Sequence, residues 1–343
     1  MVVGGLAAGQ TRKMDAIGTA RVPDHPTVQA ALSLARRAPS VHNTQPWRLV
    51  FDGHRLQLYG DTYRRLSSAD PQGRQLIISC GALLDHIRTA FGAAGWSTRV
   101  TRLPDTAADH LAEIDFDPAQ DVSDTVRARA AAIDRRYTDR LPMLPPRDWE
   151  RVEPALRAVA AAYEVTVTVL EASARLRLAA ASAQSAALRA YDPQYLNELH
   201  WWAGNDSPAD GVPISALVSA AELAQVGVGR AFPAAPPSLR RGELTDASQL
   251  LVLGSAADTP AQWLRAGEAL SAVLLECTAA GLATCPLTHI TEVPTSRRAI
   301  ANLVPGRVEP QVVVRVGTAP TTAAQPPTPR RPVGDFLDLH RFG

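Results

Sequence analysis

The sequence predicts an α+β fold, in which helices flank short strands that pair largely antiparallel. Three observations carry this. WRLVF and RLQLYG alternate apolar and polar residues on either side of Asp52-Gly53, the signature of a hairpin. Long runs with helical periodicity end in small residues and glycine, and β-like runs follow them. A faint repeat also links two of those helices. Gly81-Ala82-Leu83-Leu84 leads to Ala93-Ala94-Gly95, and Gly267-Glu268-Ala269-Leu270 leads to Ala279-Ala280-Gly281. The glycine spacing is the same in both, close to four helical turns. A plainer origin stands beside the repeat, since AAG at a helix end is common in an alanine-rich chain.

Residues 27–38 read as a helix that stops before Pro39, because the residue before a proline is pushed out of the helical region. The Asp52-Gly53 hairpin follows. Residues 74–94 are helical, then RVTRL and LAEIDF read as strands and 122–136 as a helix. The second half has helices near 148–162 and 171–190, strands at VTVTVL, QLLVLG and QVVVRVG, and a long helix over about 260–280. Residues 192–245 fit no repeat. This stretch holds His200-Trp201-Trp202, Asp210-Gly211-Val212-Pro213 and Phe232-Pro233, and its two adjacent tryptophans need burial. It reads as a partly helical excursion able to cover a pocket.

Composition narrows the function. At 343 residues and 46% hydrophobic, the chain can build a full core in two halves. A net charge of +1 with interspersed signs points to neither nucleic acid nor a membrane surface. No apolar run approaches the roughly 20 residues of a membrane span. Cys80, Cys277 and Cys285 form no CxxC and read as reduced thiols of a cytoplasmic protein. Residues 1–24 read as a poorly ordered tail, with Met14 an alternative start. Lys13 is the only lysine, so Schiff-base and Walker A chemistry are unavailable to the core. A phosphate site here must use arginine and backbone N–H groups. The histidines have no metal-ligand spacing, Gly227-Val228-Gly229 lacks a third glycine, and there is no GxSxG elbow.

Four segments carry chemistry. Ala38-Pro39-Ser40-Val41-His42-Asn43-Thr44-Gln45-Pro46-Trp47-Arg48 crowds hydroxyl, amide and aromatic groups onto a proline-fixed backbone, suited to the polar edge of a flat heterocycle. Asp134-Arg135-Arg136-Tyr137-Thr138-Asp139-Arg140 can clamp a phosphate dianion through forked donors, or be a solvated helix end. Pro327-Thr328-Pro329-Arg330-Arg331-Pro332 is an anion anchor or a proline-rich linker. Gly281 to Thr288 runs Leu-Ala-Thr-Cys-Pro-Leu-Thr after the long helix. Cys285 reads as a packed thiol with no evident basic neighbour, and His42 as a packing or hydrogen-bonding side chain. Asp70-Pro71-Gln72-Gly73-Arg74 is either a turn with an N-cap or part of the site.

Together these segments resemble the FMN-dependent nitroreductase family, and APSVHNTQPWR resembles its Acg-type branch. That resemblance covers most of residues 26–343. It implies two degenerate copies of an antiparallel-dominated sheet flanked by helices, fused as an intrachain pseudo-dimer. The first half would span 25–125 and the second 126–343, with a lid at 192–245. It also implies one FMN site. Pro39, Ser40, Asn43, Gln45, Pro46, Trp47 and Arg48 would hold the ring and ribityl chain. Arg135, Arg136 and Arg140, the Pro286-Leu287-Thr288 loop, and Arg330 with Arg331 would complete it. Tyr137 and Thr288 depart from the family's usual Ser and Glu. The implied activity is NAD(P)H-dependent reduction of a small aromatic acceptor, a nitroaromatic or quinone, by hydride transfer through flavin N5, in a monomer acting as a pseudo-dimer. The alternative is an FMN storage, sequestration or sensing protein with a covered flavin and little turnover.

Overall fold

The computed structural model describes residues 22–204, 209–232, 234–320 and 327–339. Most of the expected tail, with Met14, lies outside the described residues. The chain opens with α1 (His25–Ala35), whose N-terminus is capped by the Asp24 carboxylate accepting from the Thr27 N–H. Strands β1 (Trp47–Phe51) and β2 (Leu56–Gly60) form the expected hairpin, with Phe51 opposite Leu56. Gly53 has φ +90°, a conformation open to glycine, and the Asp52 carboxylate accepts from the His54 and Arg55 N–H groups to close the turn. Helix α2 (Arg74–Ala93) follows, then β3 (Trp96–Arg102), β4 (His110–Pro118) and α3 (Asp124–Arg135).

The second half runs α4 (Trp149–Ala161), β5 (Thr166–Val169), α5 (Ala174–Arg189), α6 (Pro193–Trp202), α7 (Ala220–Val226), β6 (Gln249–Ser255) and α8 (Pro260–Ala279). It continues through β7 (Ala283–Leu287), α9 (His289–Glu292), α10 (Pro294–Ala301), β8 (Glu309–Gly317) and β9 (Leu337–Leu339). Two sheets result, ordered β3-β4-β2-β1-β9 and β5-β6-β8-β7. Every strand pair is antiparallel except β1–β9, where Leu49 lies beside Leu337. The β-like run expected after α8 is strand β7, which takes Pro286 and Leu287 of the expected Pro286–Thr288 loop into the sheet. Ala283 to Leu287 lie antiparallel to Val313 to Gly317 of β8, and that ladder satisfies backbone groups a loop would leave to solvent.

Helices α2 and α8 cross at the two glycines that begin the repeat. A Cβ at Gly81 would fall 2.1 Å from the Leu264 carbonyl oxygen, and one at Gly267 would fall 2.0 Å from the Ile78 carbonyl oxygen. The contact is reciprocal, each glycine meeting the residue three before the other. Only glycine allows backbones this close. One apolar core surrounds the crossing and reaches both sheets; a second lies beneath α5, α9 and α10. By length and composition α2 could cross a membrane, against the expectation from the sequence, but 78% of its apolar window is buried inside the protein. It is the central helix of the core.

The segment 192–245 buries Tyr195, Leu199, Val212, Leu217 and Phe232 together with Leu66 and Ala69. The tryptophans do not anchor it. Trp201 is 70% exposed, and Trp202 is half-buried with the Arg64 guanidinium 5.2 Å from its ring centroid. Adjacent residues on a helix point about 100° apart, so α6 turns Tyr195 and Leu199 inward in their place.

Candidate functional site

A cavity lies where α2, the segment after α1, β7 and the 192–245 excursion meet. Its floor is the face of α2 bearing Gln75, Ile78 and Ser79, spaced as helical geometry requires. Pro39, Ser40, His42 and Asn43 line one side, and Pro286, Leu287, Thr288 and His289 another. Arg136 and Arg330 stand at one end, while Val218, Leu223, Arg230 and Phe232 come from the excursion.

The segment Pro39–Trp47 is a strained junction. His42, Asn43 and Gln45 have φ of 47°, 55° and 49°, rare for non-glycine residues. Tertiary bonds hold them there. The Ser40 Oγ accepts from the Gln45 N–H at 3.0 Å, and the Ser79 Oγ accepts from the Val41 N–H at 3.1 Å. The Asn43 amide donates to the carbonyls of Gly211 (2.9 Å) and Pro329 (3.0 Å). The Gln45 side chain donates to the Ala209 carbonyl at 2.8 Å and accepts from the Arg331 N–H at 2.9 Å. These amides therefore tie the excursion and the C-terminal segment to the loop. The Asn43 Oδ1 is buried with no hydrogen-bond partner among the described residues.

Not every expected site residue reaches the cavity. Pro39, Ser40, Asn43, Arg136, Arg140, Pro286, Leu287, Thr288 and Arg330 line it. Gln45, Pro46 and Trp47 lie behind the wall: Gln45 in the bonds just described, Trp47 fully buried in the core, and Pro46 with its carbonyl accepting from the Cys80 thiol at 3.2 Å. Arg48 points to the opposite face of β1, because strand side chains alternate. Its guanidinium lies 4.5 Å from the Tyr59 centroid and 3.5 Å from Asp338. Arg135 is still helical and exposed, donating to the Ala131 carbonyl, whereas Arg136 leaves the helix and turns inward. Arg331 is buried but serves the fold, donating to the carbonyls of Gln45, Trp47 and Asp335.

Two guanidiniums stand close together at one end. Arg136 is 6% exposed, and its Nε and one terminal nitrogen are buried without a partner among the described residues. The Arg330 Nε is buried and unpartnered as well, its other nitrogens donating to the carbonyls of Thr328, Pro329 and Arg37. Burial first, and then the neighbouring Arg37, holds the Arg136 guanidinium down at about 10. Burial, then Arg136, Arg37 and Arg36, pushes Arg330 well below the usual arginine value. Neither Arg136 nor Arg330 has a carboxylate partner among the described residues. Two guanidiniums held together with bare N–H groups form an anion cradle, and a phosphate would supply the missing acceptors.

The other end holds Arg140, Arg230, His42 and His289. Arg230 is paired with Glu292 and donates to the Tyr195 hydroxyl at 2.6 Å. Arg315 is fully buried and neutralised by Asp246 at 2.7 Å. Cys285 does have basic neighbours, Arg140 and Arg315, contrary to the sequence reading. Burial outweighs them and raises the thiol, which keeps it a protonated core group. Asp70 accepts from the Leu76 N–H at 2.9 Å at the start of α2; it lines a separate cavity with Arg74, Arg189 and Arg297. Sequence reasoning missed Gln75, Ser79, Leu223, Arg230 and His289. Only the helical spacing of Gln75 and Ser79 offered a signal.

No family model matches the chain. Curated relatives do. A Mycobacterium tuberculosis H37Rv protein named as the NAD(P)H nitroreductase acg is 47% identical over 315 residues, covering 91% of this chain and 95% of its own length. A second from that strain, named as the NAD(P)H nitroreductase Rv3131, is 39% identical over 328 residues, covering 92% of each. Among solved structures, the FMN-dependent nitroreductase NfnB of Mycobacterium smegmatis, in complex with NADPH, superposes at a TM-score of 0.37. It has 20% identity and covers 64% of this chain and 96% of its own.

Proposed function

This chain belongs to the Acg-type NAD(P)H nitroreductase family, and from that premise we propose that it is an FMN-binding oxidoreductase that draws electrons from NAD(P)H and passes them to a small aromatic acceptor, a nitroaromatic or quinone. One observation carries the reading. The cavity ends in Arg136 and Arg330, two buried guanidiniums with unpartnered nitrogens, beside the Pro39–Asn43 wall. Such a cradle fits a phosphate monoester attached to a flat ring. Arg136 and Arg330 would hold the phosphate, while Pro39, Ser40 and Asn43 and the Pro286–Thr288 segment would flank the ring. When bound, FMN would supply the redox chemistry. The residues of this chain bind it, orient it and exclude water. Ser79 and the apolar Ile78, Leu270 and Phe232 give the cavity dry walls, and Arg140 adds positive charge near the ring.

We further read the reciprocal Gly81–Gly267 crossing as the seam of two degenerate copies, so one chain would do the work of a dimer while keeping one flavin site. A second functional reading has its own support. Val212, Ala216, Val218, Leu223, Gly229, Arg230 and Phe232, all from the excursion, line the cavity. They would act as a lid, and a closed lid favours flavin storage with little turnover. Reconstitution and anaerobic reduction test both readings. One FMN per chain that bleaches when NADPH is added supports the oxidoreductase. One FMN that NADPH leaves yellow supports storage. Two FMN per chain, stoichiometric FAD, or no bound flavin would sink the flavin reading altogether.

A further inference from the structure

The proton on His289 is fixed by its neighbour. The Ser182 Oγ lies 3.0 Å from the Gly229 carbonyl oxygen and 2.8 Å from the His289 Nε2. A carbonyl only accepts, so the single hydroxyl hydrogen goes to Gly229. The His289 Nε2 must then carry a hydrogen and donate it to Oγ. Burial, and then Arg230, keep the imidazole neutral. The remaining nitrogen, Nδ1, is therefore a bare lone pair. His289 is 6% exposed and lines the cavity, and its Nδ1 is buried with no hydrogen-bond partner among the described residues.

A buried acceptor left bare is rare in folded proteins and calls for an explanation. The surroundings sharpen the question. Arg136, Arg140, Arg230 and Arg330 all line the same cavity, and guanidiniums bring donors only. Arg140 is barely engaged, with one weak contact to the Ala216 carbonyl at 3.4 Å and the Phe232 ring centroid at 5.6 Å. A ligand that offered only acceptors, such as a bare anion, would leave the His289 Nδ1 stranded.

We propose that His289 is a ligand-reading residue whose Nδ1 accepts a hydrogen bond from an amide-type N–H on a planar heterocycle, with Ser182 as the positioning residue that holds the required tautomer. The inference rests on the flavin reading above. Two molecules of that reading carry the chemistry: the flavin, through the imide N–H of its pyrimidine edge, and a nicotinamide nucleotide, through its carboxamide.

Two sets of binding measurements separate these sources, on the wild type and on the variants Ser182→Ala, His289→Leu and His289→Asn. The first compares dissociation constants for FMN and its N3-methyl derivative, read by flavin fluorescence. If the flavin edge is the donor, the wild type prefers FMN by about tenfold or more. His289→Leu and Ser182→Ala lose most of that preference. His289→Asn, whose amide oxygen can stand near the Nδ1 position, keeps part of it. Ser182→Ala removes one buried oxygen and leaves the fold, so the test survives if His289→Leu does not fold. The second set loads each protein with FMN and titrates NADP+, which cannot reduce the flavin, against its 3-acetylpyridine analogue, which has no carboxamide N–H, reading perturbation of the flavin absorption band. A preference that disappears in the variants only here assigns the donor to the nicotinamide. Preferences unchanged by the substitutions in both sets overturn the role of His289 while the flavin reading stands. A wild-type protein that binds no FMN overturns both.

Discussion

At the residue scale, the site turns on a few side chains whose burial is otherwise unexplained. Among the described residues Arg136 and Arg330 have no carboxylate to neutralise them, which is unfavourable for folding. Replacing either by Ala should weaken FMN binding by about tenfold or more, since a charge-assisted hydrogen bond contributes roughly 1.5–3 kcal/mol. Riboflavin, which lacks the phosphate, should bind the variants and the wild type alike. Equal losses for both ligands in a fluorescence titration would mean that these arginines hold the fold and not the phosphate. The sequence made these two arginines readable because they stand in short arginine-rich segments. It misled on their neighbours for a geometric reason. Arg135 and Arg136 are adjacent, but the helix ends between them, and only the second faces inward. Trp47 and Arg48 are adjacent, but the strand sends one into the core and the other to solvent.

At the scale of elements, the periodic segments were legible and the aperiodic ones were not. Helices α2 and α8 follow from their apolar spacing, and the β1–β2 hairpin follows from Asp52-Gly53. Strand β7 was legible as a β-like run after the long helix, but its pairing with β8 was not, because Pro286 and the small residues before it carry no local signal of their partner. The glycine spacing shared by the two helices was visible in the sequence, and the structure places the first glycine of each run in a close backbone contact between α2 and α8. Gly267→Ala should therefore cost more than the small penalty of a typical surface substitution. Its Cβ would meet the Ile78 carbonyl oxygen at 2.0 Å, and overpacking of this kind costs about 1–3 kcal/mol or more. Gly334→Ala is the control, since no atom lies within 4 Å of its Cβ and its φ is not left-handed. Urea midpoints should fall much further for Gly267→Ala. Equal midpoints would mean that the helices separate freely and that the crossing contributes little.

At the scale of the whole molecule, the site belongs to no single half. Its walls come from residues 39–43, 75–79, 136–140, 212–232, 285–289 and 330. Gln45 bonds both Ala209 and Arg331, and Asn43 bonds both Gly211 and Pro329, so one short loop clamps the excursion and the C-terminal segment. Removing residues 332–339 would take away β9 and expose the edge of β1. It would also free Arg331 from the Asp335 carbonyl. The shortened protein should keep its second sheet but release FMN at least tenfold faster, measured by dilution of the loaded protein. Unchanged release would show that Arg330 needs no support from β9. The sequence could not announce this arrangement, because Gln45 and Arg331 lie almost a chain length apart and no local pattern links them.

That same clamp sets an order on biogenesis. A loop between β1 and β9 is among the longest this chain can close, and contacts of such separation are slow to form. While the chain is being made, the Pro39–Trp47 segment emerges long before its partners, Gln45 preceding Arg331 by 286 residues. Until then the strained backbone at His42, Asn43 and Gln45 has no reason to hold its shape. A nascent product still lacking Arg330 and Arg331 would stay colourless whatever the supply of flavin. Yellow colour would mark only molecules in which that segment has closed onto the Pro39–Trp47 loop, so the cofactor would report on the closure.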